Sequence, residues 1–215
     1  MRMAFCGVAF VIAALLLYGW FRPAPEPAEW VGTARPTPAV GPPWIYGAPE
    51  ARYTIELYAD LECPYCQQAV PHLLRWVDSQ PKVRVQWHHL PLVAHDPAAT
   101  RAAVLVECAG RRGSPPTFWT AVRWYYAHTR GNGRGLPTGS HPQLGADLTE
   151  CVADATMTAS IQADTQAAAA DGISATPAMR IHDRRTGNQI LLYGAVEADA
   201  LLSALDHVSG IPPPP

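Results

Sequence analysis

The alternating segment Tyr53-Thr-Ile-Glu-Leu-Tyr-Ala59 runs, a few residues on, into Cys63-Pro64-Tyr65-Cys66, and a helical pattern opens at Pro64 and continues to about Ser79. Alternation of this kind reads as a β-strand. The chain is therefore constrained to place two cysteines where a strand ends and a helix begins. Cysteines at this spacing can close a small disulfide ring. At a helix N-terminus the first thiolate is stabilised by unpaired backbone N–H groups and the macrodipole. The second sulfur faces back into the helix and can resolve a mixed disulfide formed by the first. Two other readings use the same residues: half of a zinc site, or an inert structural disulfide. Zinc needs four ligands, as a rule a second cysteine pair or a histidine pair. Apart from Cys6 in the apolar N-terminal run, only Cys108, Cys151 and scattered histidines are left to supply them, none in a matching pair.

Lys82–His88 alternates again and predicts a second strand. Pro97–Gly110, ended by Arg111-Arg112-Gly113, and the aromatic-rich Thr117–His128 predict helices. Arg130–Gly145, with glycine and proline throughout, predicts a long loop, of the kind that is often functional or mobile. Helices are expected near Ala146–Ala155 and Thr158–Asp171, with Gly172 as C-cap. Ala178–His182 and Gln189–Tyr193 flank Arg184-Arg185-Thr186-Gly187-Asn188 as a hairpin, and Glu197–Val208 closes the order as an amphipathic helix. The pattern is β-α-β, a helical block over about 92–172, then β-β-α, with no internal repeat.

The ends read differently. Met3–Phe21 is 19 residues without a charge, and a helix of that length spans about 28 Å, close to a ~30 Å hydrocarbon core. The run ends Tyr18-Gly19-Trp20-Phe21-Arg22, with bulky aromatics where a cleaved signal peptide carries small residues. Residues 1–22 are therefore expected to be an uncleaved transmembrane signal anchor, with its N-terminus inside and a cleaved peptide as the other reading. Seven of the chain's 22 prolines fall in residues 22–43. They predict an extended, semi-rigid tether, assigned to residues 23–49, ahead of one domain over 50–210 and a proline tail, 211–215. The formal net charge is −2, from 16 basic and 18 acidic residues, which argues against nucleic acid as a partner.

Asp60-Leu61-Glu62-Cys63-Pro64-Tyr65-Cys66 resembles the active-site segment of DsbA-like oxidoreductases of the thioredoxin-fold superfamily. Pro71 inside the helix, His89-Leu90-Pro91-Leu92, the Glu107-Cys108-Ala109 helix and Thr176-Pro177 before the hairpin agree in order and separation, over about residues 50–208. The resemblance implies an α/β thioredoxin fold with an inserted helical subdomain, and thiol–disulfide exchange outside the cytoplasm. It implies Cys63 as nucleophile and Cys66 as resolving cysteine, with Pro64 and Tyr65 between them. It further implies a cis-Pro loop at Thr176 and Pro177 beside them, where an extended substrate can pair. A trans proline starting an edge strand is the other reading of Pro177. The Cys63–Cys66 disulfide would serve in place of any cofactor or metal.

The expected partners are extended or unfolded cysteine-containing clients, a membrane redox protein that recycles the pair, and the inner membrane itself through residues 3–21. The domain would then lie in the periplasm. Donation of disulfides by an oxidase is the leading reading. A reductase or isomerase of the same fold, or a metallochaperone or envelope-assembly component, are the alternatives. One departure stands out. Thioredoxin-fold enzymes often bury a carboxylate six residues before the first cysteine, and here that residue is Leu57, with Glu56 on the opposite face.

Asp60 and Glu62 flank Cys63 and are expected to raise its pKa against the helix terminus. With Cys63 and Cys66 paired, Cys108 and Cys151 are left to each other as a structural disulfide, or else remain as buried free thiols. His88 and His89, neighbours in a strand, point to opposite faces and do not suit one metal; they and His95 read as ordinary histidines. Trp119, Trp124, Tyr125 and Tyr126 read mostly as core, with part lining a groove beside Cys63. Arg111, Arg112, Arg123, Arg130 and Arg134 form a stretch without acids between Glu107 and Asp147. It reads as a solvated surface, or as an attractor of an acidic partner or anionic headgroups.

Overall fold

The two alternating segments become a parallel pair at the centre of a five-stranded sheet. The computed structural model describes residues 41–143 and 147–210. Its strands are β1 Trp44–Gly47, β2 Tyr53–Ala59, β3 Val83–His89, β4 Ala178–Asp183 and β5 Gln189–Tyr193, in the order β1-β3-β2-β4-β5. β2 runs parallel to β3, with Ile55 opposite Val85 and Leu57 opposite Trp87. The remaining pairs are antiparallel. A parallel pair needs a crossover, supplied by helix α1, Pro64–Asp78, which contains Pro71. Cys66, Ala69, Val70, Leu73, Leu74 and Val77 recur at three- and four-residue spacing and are buried. All but Ala69 pack with Ile55, Leu57, Val85, Trp87, Met179 and Ile181 in the main core.

The helical block lies between β3 and β4, as α2 Ala98–Arg112, α3 Pro115–His128, α4 Thr149–Ala153 and α5 Ala155–Ala170. The helix expected near Ala146–Ala155 is a single short turn. Asp154 ends it and caps the next helix, accepting the Thr156 N–H at 2.8 Å. Cys108 on α2 and Cys151 on α4 form a disulfide, with Cα atoms 5.8 Å apart. Helix α6, Ala198–Val208, packs on the β4–β5 hairpin.

The domain begins earlier than the composition indicated. Trp44–Gly47, assigned to the tether, is an edge strand antiparallel to β3. Trp44 is 1% exposed, stacks on Phe118 with ring centroids 4.7 Å apart, and donates from Nε1 to Glu107 Oε2 at 2.6 Å. Gly110 makes room for it, since a Cβ there would lie 2.5 Å from the indole ring. Four residues beside a proline run carry too little alternation to be read as a strand; packing against α2 and α3 decides. The expected membrane helix, the tether up to residue 40 and the proline tail lie outside the described residues. Among the described residues, no helix is long and apolar enough to cross a membrane.

Candidate active site at the head of the first helix

After β2 the chain turns on Asp60. Its buried carboxylate accepts the Glu62 N–H at 2.7 Å, the Leu92 N–H at 3.0 Å and His95 Nδ1 at 2.6 Å. Its carbonyl accepts the Cys63 N–H at 3.2 Å. This fixes Cys63 as the N-cap of α1, with Pro64 in the first helical turn. Both cysteines are free thiols, 2% and 0% exposed. Tyr65 between them is 68% exposed.

The two sulfurs are electrostatically unlike. The Cys66 thiol donates to the Cys63 sulfur, the largest effect on it. Burial opposes this, the Thr176 hydroxyl and the N–H groups of Cys66 and Tyr65 add to it, and Cys63 is held at about 5. Thr176 Oγ1 is buried and has no hydrogen-bond partner among the described residues, so it is free to turn to the Cys63 thiolate. Burial pushes the Cys66 thiol up, and the neighbouring Cys63 pushes it further. The Thr176–Pro177 bond is cis, and the Cys63 thiol donates to the Thr176 carbonyl at 3.5 Å.

The flanking acids do not act as the sequence predicted. Neither is among the main influences on Cys63, because both carboxylates are turned away and spent on other donors. Glu62, 0% exposed, accepts from Tyr125 OH at 2.7 Å, Thr129 Oγ1 at 2.5 Å and Gly135 N at 2.9 Å, and its carbonyl accepts from Asn132 N at 2.7 Å. It thereby pins the glycine-rich loop after α3 beside the cysteines. Asn132 and Gly133 there are left-handed, with φ 53° and 71°, and a Cβ on Gly133 would come within 3.0 Å of the His95 backbone. The roles of Glu62 and His95 were missed in the sequence. An acid next to a cysteine gives no sign of which way it points; the available signal was two acids, Asp60 and Glu62, in a short strand-to-helix turn.

Leu57 is fully buried in the core, and Glu56 lies on the other face with Arg180 Nη1 at 3.3 Å. Trp119, Tyr125 and Tyr126 are buried, and Tyr126 OH donates to the Asp60 carbonyl at 3.3 Å. Trp124 is half-buried and stacks on His128. His88 stacks on Tyr58, while His89 sits on the opposite face, its Nε2 3.5 Å from Glu107 Oε2. Among the described residues, no group of three or more His, Cys, Asp or Glu side chains could hold a metal ion. A stabilised thiolate at a helix head, backed by a buried thiol, suits thiol–disulfide exchange.

Comparison with known proteins agrees with that chemistry. The family model described as thioredoxin matches residues 39–206. The crystal structure of DsbA2 from Pseudomonas aeruginosa is 43% identical, with TM-score 0.72, over 77% of this chain and 93% of that one. A periplasmic thioredoxin-like protein from Salmonella enterica serovar Typhimurium, 23% identical with TM-score 0.58 over 77% of this chain and 89% of that one, shares the fold. A Na(+)/H(+) antiporter, NhaA 1 of Salinispora arenicola, is 32% identical over 167 residues, 75% of this chain. The chain spans only about a quarter, 24%, of that antiporter's length.

Proposed function

Given that this chain belongs to the thioredoxin family and is a DsbA-like thiol:disulfide oxidoreductase, whose chemistry runs on a redox-active disulfide without an external cofactor, we propose that Cys63 and Cys66 are its redox pair and that it works as an oxidase. The observation that carries this reading is the Cys63 thiolate, held at about 5 while Cys66 is pushed up. A client thiolate attacks Cys63 Sγ of the Cys63–Cys66 disulfide. The S–S bond breaks, and Cys66 leaves with the electron pair and takes up a proton. A second client thiolate then attacks the client sulfur of the mixed disulfide, and Cys63 leaves as the thiolate. The client has lost two electrons and the pair has gained them. A low-pKa leaving group speeds the last step and stabilises the reduced pair, which makes the disulfide a strong oxidant.

Residues 3–21 anchor the domain to the inner membrane in this reading, with the cysteines in the periplasm and a membrane redox protein returning the pair to the disulfide. The Cys108–Cys151 disulfide supports an oxidising compartment. The clients are extended or unfolded polypeptides with free cysteines, which reach Cys63 past exposed Tyr65 and pair along Thr176-Pro177. The test is trapping. Cys66→Ser, first converted at Cys63 to its mixed disulfide with glutathione, should accumulate mixed disulfides with a reduced, unfolded client as glutathione leaves, and Cys63→Ser treated in the same way should form none. Adducts through Cys66 in the Cys63→Ser protein would reverse the assignment.

A further inference from the structure

The acid-free arginine stretch does not stay together in the fold. Arg111 donates to Glu107 at 2.6 Å, Arg112 reaches Glu150 at 3.4 Å, and Arg123 donates to Tyr46 OH at 2.6 Å. Arg130 and Arg134 instead knot the glycine-rich loop. Arg130 Nη2 donates to the Arg134 carbonyl at 2.5 Å, Arg134 Nε donates to the Gly131 carbonyl at 3.1 Å, and Arg134 Nη2 donates to the Arg130 carbonyl. Carbonyls satisfy N–H groups but do not neutralise charge. Arg130 and Arg134 both line a cleft of about 390 Å³, together with Arg101 of α2. That volume is within the ~300–1,000 Å³ of ordinary ligand sites.

Among the described residues, none of these three arginines has a carboxylate within ion-pair distance. The neighbouring acids accept from other donors and make no ion pair with these arginines among the described residues. Glu62, behind the lining residues Tyr125 and Gly135, is fully buried on its three donors. Asp96 accepts from the Thr100 hydroxyl at 2.7 Å. Three cations in one concavity focus a positive potential that isolated surface charges do not, and guanidinium forks match carboxylates.

We propose that this cleft binds the carboxylates of an acidic polypeptide segment. The site is joined to the cysteines through covalent chain and hydrogen bonds: Tyr125 and Gly135 line it, both donate to Glu62, and Glu62 precedes Cys63. An acidic segment held there belongs to a polypeptide presented to the redox pair. The inference rests on the proposed redox role only in taking the occupant to be a polypeptide.

The test is fluorescence anisotropy of a labelled, cysteine-free, aspartate-rich decapeptide with the oxidised full-length protein. Binding should saturate and weaken as salt rises. Arg101→Glu, an exposed position with no side-chain partner among the described residues, should weaken it about tenfold or more, the loss of one charge-assisted contact, and Arg101→Lys should restore part. A lysine-rich decapeptide should not bind, and at matched ionic strength neither inorganic phosphate nor anionic phospholipid vesicles should displace the acidic one. Oxidation of a neutral dithiol peptide should be unchanged in Arg101→Glu. Binding indifferent to Arg101→Glu, an absence of saturation, or displacement by vesicles or phosphate would overturn the proposal. Failure to oxidise the neutral peptide would instead count against the redox assignment, since the binding measurement involves no cysteine.

Discussion

Cys63 and Cys66 sit three residues apart and are held in opposite protonation states by position alone. Cys63 caps the helix and receives donors; Cys66 lies one turn in, buried, and gives its proton toward Cys63. A thiol's reaction with iodoacetamide follows its thiolate fraction, so the pH profile reads this difference directly. Because the Cys63 pKa is lowered to about 5, its thiolate is present above that pH and is lost as pH falls through it. Alkylation of the reduced protein should therefore rise to a plateau by about pH 6, and mass mapping should place the label on Cys63. Cys66→Ala removes the largest stabilising contact and should move the midpoint upward. A midpoint near an ordinary cysteine's ~8.5 in the unsubstituted protein would refute this electrostatic picture. Tyr65 stands exposed between the two buried cysteines, and Leu57, where thioredoxin-fold enzymes often bury a carboxylate, is an apolar core residue.

At the scale of elements, one tie joins the helical block to the sheet domain and a second closes the block on itself. One is the Glu62 hub, which holds α3 and the glycine-rich loop to the turn before Cys63. Glu62→Ala would leave three donors without their acceptor. At about 1–3 kcal/mol for each buried group left unpaired, a loss of at least ~3 kcal/mol in denaturant unfolding is expected, with faster proteolytic nicking between Arg130 and Gly135. Stability within ~1 kcal/mol of the parent would show that the hub is not what fixes the loop. The other tie is Cys108–Cys151, which links α2 to α4 across 43 residues of sequence. Replacing both with alanine should cost roughly 3–4 kcal/mol by the loop-closure argument. It should leave the Cys63–Cys66 potential nearly unchanged, because the bridge lies in the helical block among Val104 and Ile161, away from the helix head. A shifted potential in that variant would mean the two halves are coupled.

For the whole molecule, what was legible in the sequence is what periodicity and spacing encode. Alternation over Tyr53–Ala59 and Lys82–His88, the helical pattern from Pro64 to about Ser79 and the Thr176-Pro177 step before the hairpin all report local geometry. What was not legible depends on long-range partners. Trp44 looked like tether because its stacking on Phe118 and its bond to Glu107 span more than sixty residues of chain. Glu62 and Asp60 looked like repulsive neighbours of Cys63 because sequence distance cannot say that their carboxylates turn toward Thr129 and His95. The arginines looked like one basic stretch because charge is counted along the chain, whereas the fold neutralises some and gathers others. Stabilising Cys63 as a thiolate should give the Cys63–Cys66 disulfide the high reduction potential of an oxidant. Equilibration of the full-length protein with a glutathione redox series, quenched and read by thiol alkylation and mass, measures that potential directly. A value above about −150 mV is the predicted result, and a value below about −230 mV, in the range of disulfide reductants, would contradict it.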